Sequence, residues 1–145
     1  MARICRTLIR FRRQQPTTRR RRFPRGDSNG ADRHPEVGWY DASGNSVDWH
    51  GNDLLLTCLW TRLPREEDHQ RAARDLLLIF NATQATQMFT FPPVALADRW
   101  RLLVDTAAKP PNDVFPSCKG PPAPKSGRVI LKPRSLRCYI SEAPW

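Results

Sequence analysis

Short apolar runs separated by turn-forming residues dominate the chain after residue 35. Each run is four to seven residues long and is bounded by Gly, Pro, Asn, Asp or Ser, which is typical of β-strands. About seven runs of this kind predict an all-β fold, an antiparallel β-sandwich of about seven strands. The runs are Val37–Tyr40, Leu54–Trp60, Leu76–Asn81, Gln87–Phe91, Arg99–Asp105, Arg128–Lys132 and Leu136–Ile140.

The alternation of apolar and polar positions assigns faces to several of these strands. The run Leu76–Phe80 is apolar throughout, which predicts a central strand buried on both sides. Side chains two residues apart in a strand point to the same face. This alternation places Phe89 with Phe91 on one face, and Trp100 with Leu102 and Val104 on one face.

The first residues follow a helical pattern instead. Ile4, Leu8 and Phe11 recur at i, i+4 and i+7, so one apolar stripe faces one side of a helix and arginines face the other. Pro16 disfavours helix at the residue before it, which predicts that the helix ends at about Gln15. The β fold is therefore expected to follow a short, amphipathic, basic N-terminal helix.

Charge is concentrated in the same segment. The 145 residues carry a formal charge of +10, and residues 1–25 contain ten arginines and no Asp or Glu. Three interpretations fit this segment: a nucleic-acid-binding arm, an organelle transit peptide, or a helix whose charged face is solvated. A secretory signal peptide does not fit, because arginines interrupt every apolar stretch.

Turn-forming and proline-rich stretches suggest the domain organisation. Residues 26–35 form a turn-rich linker, so we predict a basic segment over 1–25 and a β domain over 26–145. Within that domain, residues 109–127 contain six prolines and are expected to form an exposed, poorly ordered loop.

Candidate chemistry is sparse. The four cysteines lack a Cys-x-x-Cys pair, and Cys58 and Cys138 lie in apolar strands, which favours reduced, buried thiols. The carboxylates of 66–68 are adjacent in sequence and cannot flank one sugar bond. We therefore expect no catalytic residue, no cofactor and no metal site. No apolar stretch is long enough to span a bilayer, so no membrane partner is expected.

Tryptophan is the residue type most suggestive of a ligand, because its ring face can stack on sugars or bases. Trp60 and Trp100 lie within strands and are expected in the core, whereas Trp49 lies in a loop. Asp48 is positioned to accept hydrogen bonds from the backbone of that loop. The Asn81-Ala82-Thr83 sequon is interpreted as a chance match.

Several blocks occur in an order that is similar to a known family. They resemble, in sequence order, the C-terminal region of isoamylase-type bacterial glycogen debranching enzymes, which belong to the α-amylase family of glycoside hydrolases. The resemblance covers nearly the whole chain, with a local departure in the proline-rich stretch around 110–124. The blocks are Leu8–Pro16, Arg19–Phe23, Val37–Gly44 with Asp48-Trp49, Leu76–Ala82, Phe89–Pro92, Trp100–Thr106 and Pro133–Ser135.

The resemblance implies a cytoplasmic protein of glycogen catabolism that acts on α-1,6-glucosidic bonds. The family's catalytic carboxylates belong to an upstream barrel and match no position here, so this chain is expected to be inactive by itself. The basic start resembles the end of the last barrel helix, and its Ile4, Leu8 and Phe11 stripe would dock on a barrel-bearing polypeptide. The residues expected to contact α-glucan (glycogen) are Trp39, Tyr40 and Trp49.

Two other functions remain open from the sequence. The chain would be a free-standing glucan-binding module if its tryptophans bind sugar without a barrel. It would be a basic nucleic-acid-binding protein if Arg19–Arg22 act as an arm, although no specific nucleic acid is expected as a partner.

Overall fold

A computed structural model of the chain describes residues 2–20, 23–24, 26, 35–51, 54–62, 73–116 and 119–142. These residues are mostly β, with seven strands and one N-terminal α-helix. Two short 3-10 helices, Pro16–Arg19 and Pro93–Ala95, join longer elements. The helix is α1 (Ala2–Gln14), and the strands are β1 (Val37–Tyr40), β2 (Leu55–Trp60), β3 (Leu76–Asn81), β4 (Gln87–Thr90), β5 (Trp100–Asp105), β6 (Arg128–Leu131) and β7 (Ser135–Ser141).

The strands form two antiparallel sheets. The larger has the order β1-β2-β3-β7-β5, and the smaller pairs β4 with β6. Strand β3 occupies the centre of the larger sheet. Its Leu77 and Ile79 pack into one core cluster, and Leu76 and Leu78 pack into the cluster on the other face. The prediction that this strand is covered on both sides is confirmed.

The first core cluster joins the two sheets. Phe89 of β4 and Leu131 of β6 are fully buried and pack in the same cluster as Leu77, Ile79 and Tyr139 of the larger sheet. Phe91 also lies in this cluster, so the predicted shared face of Phe89 and Phe91 is confirmed. Burial of large apolar side chains from both sheets supplies the main stabilisation of the fold.

A β-bulge in β5 changes the faces predicted for that strand. Leu102 pairs with Tyr139 of β7, but the next pair is Val104 with Cys138, so Leu103 is an extra residue. Leu102 packs against the first cluster, whereas Leu103 and Val104 lie in the second. The prediction that Val104 shares a face with Trp100 is therefore wrong, because the bulge inverts the alternation after Leu102.

Helix α1 covers the second face of the larger sheet. Ile4 and Phe11 pack against the cluster that contains Leu103, Val114 and Cys138. The helix ends at Gln14, one residue from the predicted end, and the backbone N–H of Gln15 still donates to the carbonyl of Phe11. The amphipathic helix is thus confirmed, with part of its apolar stripe directed at the sheet.

Most described residues of the proline-rich stretch are exposed, as its composition predicts, but two parts of it pair with the edge of a strand. Residues 113–115 and 121–123 run along the outer edge of β5 and bond to its backbone, as in Phe115 N to Leu103 O at 2.9 Å and Leu102 N to Pro121 O at 2.9 Å. Val114 is buried in the second cluster. This segment therefore covers the β5 edge, which would otherwise expose unpaired backbone groups.

Asn81, at the end of β3, has a structural role. Its amide Nδ2 donates to the carbonyls of Ala85 and Lys132, both at 2.9 Å, and its Oδ1 accepts from the N–H of Thr83 at 3.0 Å. The side chain is buried. This buried, hydrogen-bonded amide joins the β3–β4 turn to β6. Because its nitrogen is buried and already bonded to two carbonyls, it is not available for glycosylation, which agrees with the interpretation of the sequon as a chance match.

Candidate functional site

Two tryptophans meet on the surface beside the edge strand β1. Gly38 and Tyr40 of this strand are buried, whereas Trp39 between them points the other way. Trp39 is 38% exposed and Trp49 is 66% exposed. Their ring centroids lie 5.9 Å apart with an interplanar angle of 71°. The structure therefore brings together two of the three predicted sugar-contacting residues in one exposed aromatic pair.

A tight turn after β1 fixes the first part of this surface. The carboxylate Oδ1 of Asp41 accepts hydrogen bonds from the N–H groups of Ser43 and Asn45, at 2.8 and 2.9 Å. Gly44 has φ of +86°, a left-handed conformation that glycine adopts without strain. The N–H of Thr90 donates to the carbonyl of Ala42 at 2.8 Å, which ties the turn to β4.

A second turn places Trp49. The N–H of His50 donates to Oδ1 of Asp48 at 3.0 Å, so the predicted Asx-type role of Asp48 is confirmed. The N–H of Val47 donates to the carbonyl of Trp39 at 3.1 Å. These bonds bring the returning chain alongside β1, and Trp49 consequently lies next to Trp39. Backbone hydrogen bonds therefore fix the two segments that carry these rings.

Tyr40 occupies a different environment. Its side chain is only 9% exposed and lies in the first core cluster. Burial raises the pKa of its phenol, with a further contribution from the charge of Cys58. Adjacent residues of a strand face opposite sides. Tyr40 therefore supports the sheet beneath the aromatic pair, and the exposed surface consists of Trp39 and Trp49.

The three residues of the predicted barrel-docking stripe lie in different environments. Ile4 and Phe11 are partly buried against the second core cluster, and Leu8 is 38% exposed at the side of the helix. Two of the three side chains thus have apolar partners within the chain itself. Docking of this stripe on a separate barrel stays a prediction.

Part of the arginine-rich segment is fastened to the β domain. The Arg20 side chain is 3% exposed, and its Nη1 lies 3.0 Å from Oε2 of Glu36. Its guanidinium carbon lies 5.8 Å from the centre of the Trp60 ring. Thr17, one turn earlier, donates from Oγ1 to the carbonyl of Arg74 at 2.8 Å. Arg20 therefore acts as an internal anchor and is not directed at an external phosphate.

Some of the cysteines and candidate metal ligands lie among the described residues, and others do not. Cys58 and Cys138 are buried thiols and form no disulfide, as predicted, and burial raises the pKa of the Cys58 thiol to about 11. This thiol stays protonated and unreactive near neutral pH. Over the described ranges, no three His, Cys, Asp or Glu side chains gather as a metal site. Arg21 and Arg22 of the candidate arm, Cys118 and the carboxylates Glu66, Glu67 and Asp68 lie outside the described residues, and the 25/26 domain boundary falls among residues of which only 23, 24 and 26 are described.

A basic surface on α1 was not predicted as a site. Arg6, Arg10 and Arg13 are exposed and follow the spacing i, i+4 and i+7, which places them on one side of the helix. The four contiguous arginines of Arg19–Arg22 predict a nucleic-acid-binding arm at a different place in the sequence. The helical spacing of the earlier arginines is the pattern that identifies this second surface.

Comparison of the sequence with models of known protein families and with curated proteins finds no match. Among the residues that the structure describes, no helix has the length and apolar character needed to cross a bilayer.

Proposed function

We propose that this chain is the C-terminal β-sandwich domain of an isoamylase-type glycogen debranching enzyme and that it contacts α-glucan through Trp39 and Trp49. Support for the domain assignment comes from the ordered sequence blocks and from a core shared by two antiparallel sheets. The observation that carries the glucan contact is the exposed tryptophan pair, with ring centroids 5.9 Å apart.

The geometry of the pair suits a curved sugar chain. The C–H groups of a glucose ring pack on the face of an indole, and an exposed aromatic pair is a surface that water solvates poorly. In an α-1,4-linked chain, successive glucose rings are inclined to each other because the chain is helical. Two indoles at 71° follow such a chain better than they follow a flat, β-linked ribbon.

In this proposal, a catalytic barrel hydrolyses the glycosidic bond. Glycoside hydrolysis with retention needs two carboxyl groups that flank the scissile bond. A barrel-bearing polypeptide would supply both, and the present domain would support the barrel and hold glucan in the cytoplasm. The free-standing glucan-binding module is the alternative, and co-purification with a barrel-bearing polypeptide separates the two.

Removing both tryptophans is expected to abolish glucan binding. In a native gel that contains glycogen, the unmodified chain should be retarded relative to a gel without it, and the variant W39A/W49A should not. Loss of a stacking ring costs about 1–3 kcal/mol per contact for bases, and we expect a similar cost per sugar contact. The double substitution should therefore weaken binding by at least about thirtyfold.

A matched control removes two other exposed apolar side chains. Met88 and Ile130 face each other on the outer side of β4 and β6 and are 58% and 59% exposed. The variant M88A/I130A should be retarded as strongly as the unmodified chain. If the unmodified chain migrates equally with and without glycogen, the glucan contact is rejected. Equal loss in both variants would reject a specific role for the tryptophan pair.

A further inference from the structure

The outward side of helix α1 carries a continuous basic stripe. Arg6, Arg10 and Arg13 lie on one side of the helix and are exposed. At a rise of 1.5 Å per residue, the stripe is about 10 Å long. Guanidinium groups bind phosphate oxygens with two parallel N–H donors, so a row of them is suited to a chain of phosphates.

No carboxylate neutralises this stripe within the described part of the chain. Helix α1 contains no Asp or Glu. Arg3, which precedes Arg6 by three residues on the same side of the helix, forms an ion pair with Asp113. The ion pairs formed by described residues include none with Arg6, Arg10 or Arg13. Arg6, Arg10 and Arg13 are therefore exposed positive charges without a carboxylate partner among the described residues.

A small cleft lies at one side of the stripe. Its volume is about 80 Å³, and it separates α1 from β5 and from the proline-rich segment. The helix contributes two guanidinium groups, a hydroxyl and an amide, and the opposite wall is apolar. The lining residues are Arg6, Thr7, Arg10, Phe11, Gln14, Leu103, Phe115 and Pro116.

We propose that this surface binds the phosphodiester backbone of a nucleic acid, with one phosphate at the mouth of the cleft and neighbouring phosphates along the stripe. Arg6 and Arg10 would contact the phosphate in the cleft, and Arg13 the next one. The surface is independent of the tryptophan pair. Since the contacts are to phosphate rather than to base edges, binding should tolerate any sequence and should fall with salt.

The observations favour a nucleic acid over a lipid surface. An interfacial helix inserts an apolar face into the bilayer. In α1, Ile4 and Phe11 instead pack against the sheet. On the outward side, Ile9 is a single large apolar side chain that stands among the arginines. Guanidinium groups thus outnumber large apolar groups on the accessible side of the helix.

The test compares two variants with the same loss of charge. R6Q/R10Q/R13Q removes the stripe, and glutamine preserves helix propensity. R99Q/R128Q/K132Q removes three exposed positive charges from the β domain. Binding of labelled oligothymidine and of a random-sequence duplex is measured by fluorescence anisotropy between about 50 and 200 mM salt. The stripe variant should lose at least about tenfold in affinity at the lowest salt, and the control less than about threefold.

The salt dependence gives a second readout. Each phosphate contact contributes about 0.9 to the magnitude of the slope of log K against log salt on duplex DNA, so the stripe variant should have a slope shallower by about two to three. Thermal unfolding of both variants should match that of the unmodified chain. Equal loss in the two variants, or unchanged binding in the stripe variant, overturns the proposal.

Chemical-shift mapping on the unmodified chain removes any dependence on variant folding. Addition of oligothymidine should shift the backbone amide signals of residues 6–14 and leave those of Trp39 and Val129 in place. Shifts spread evenly over the exposed basic residues would overturn the assignment. Vesicles that contain anionic lipid serve as the competing ligand, and shifts of residues 6–14 with vesicles but not with oligothymidine would also overturn it.

Discussion

Replacement of Phe89 by alanine is expected to lower the free energy of unfolding by about 3–5 kcal/mol, which is the range for a fully buried phenylalanine. Phe89 has no exposed surface and packs with Leu77 and Ile79 of the other sheet. Its removal leaves a cavity between the sheets as well as a loss of buried apolar area. Because small domains are stable by only about 5–15 kcal/mol, this change removes a large fraction of the total.

The neighbouring residue supplies the control for this prediction. Met88 lies on the outer side of the same strand and is 58% exposed. M88A should change stability by no more than about 0.5 kcal/mol, as surface substitutions usually do. Urea unfolding followed by tryptophan fluorescence measures both variants. If F89A costs less than about 1 kcal/mol, the two sheets do not share the core described above.

Replacement of Gly120 by alanine is expected to destabilise the fold by about 3 kcal/mol, at the upper end of the range for overpacking. A methyl group at this position would overlap the carbonyl oxygen of Leu102, a backbone atom that cannot rotate away. The carbonyl of Gly120 also accepts a hydrogen bond from Nη1 of Arg101 at 3.1 Å. The substitution should therefore separate the proline-rich segment from the edge of β5.

Hydrogen exchange tests whether the proline-rich segment separates from β5, and a substitution at a second glycine is the control. The N–H of Ala123 donates to the carbonyl of Trp100 at 2.8 Å, and this amide should exchange faster in G120A. Gly26 has no atom within 4 Å of the position that a methyl group would take, so G26A should leave both stability and exchange unchanged. Unchanged exchange at Ala123 and Leu102 in G120A would show that the segment does not pair with β5.

Patterns that depend on local chain geometry were predictable from the sequence. The helix stripe follows from spacing, the helix end shortly before Pro16 from the steric effect of proline, and the double burial of Leu76–Phe80 from its uninterrupted apolar run. The bulge at Leu103 was not predictable, because an extra residue in a strand leaves the composition of the run unchanged.

The pairing of the proline-rich segment with the edge of β5 does not follow from its composition. Proline lacks an N–H, but its carbonyl still accepts a hydrogen bond, as Pro121 does from Leu102. An edge position requires only one side of the segment to bond, so prolines are tolerated there and prevent further strands from adding. The packing of 113–115 and 121–123 against β5 depends on this tertiary context.

The candidate site was predictable in part. Strand alternation allows only one of Trp39 and Tyr40 to face solvent, so the separation of these two residues follows from the sequence once the core face is known. The meeting of Trp39 with Trp49 depends on two turns closed by Asp41 and Asp48, whose combined geometry cannot be derived from spacing. The burial of Arg20 beside Glu36 is likewise a tertiary contact.

The most direct test of the proposed glucan contact follows the indole N–H signals of the tryptophans by NMR while a linear α-1,4-glucan oligosaccharide is added. Trp100 donates from Nε1 to the carbonyl of Ala95 at 2.7 Å and is buried, and together with Trp60 it serves as an internal reference. We expect the indole signals of Trp39 and Trp49 to shift in a saturable manner while those of Trp60 and Trp100 stay in place. Unchanged signals from Trp39 and Trp49 at saturating sugar would contradict the proposed function.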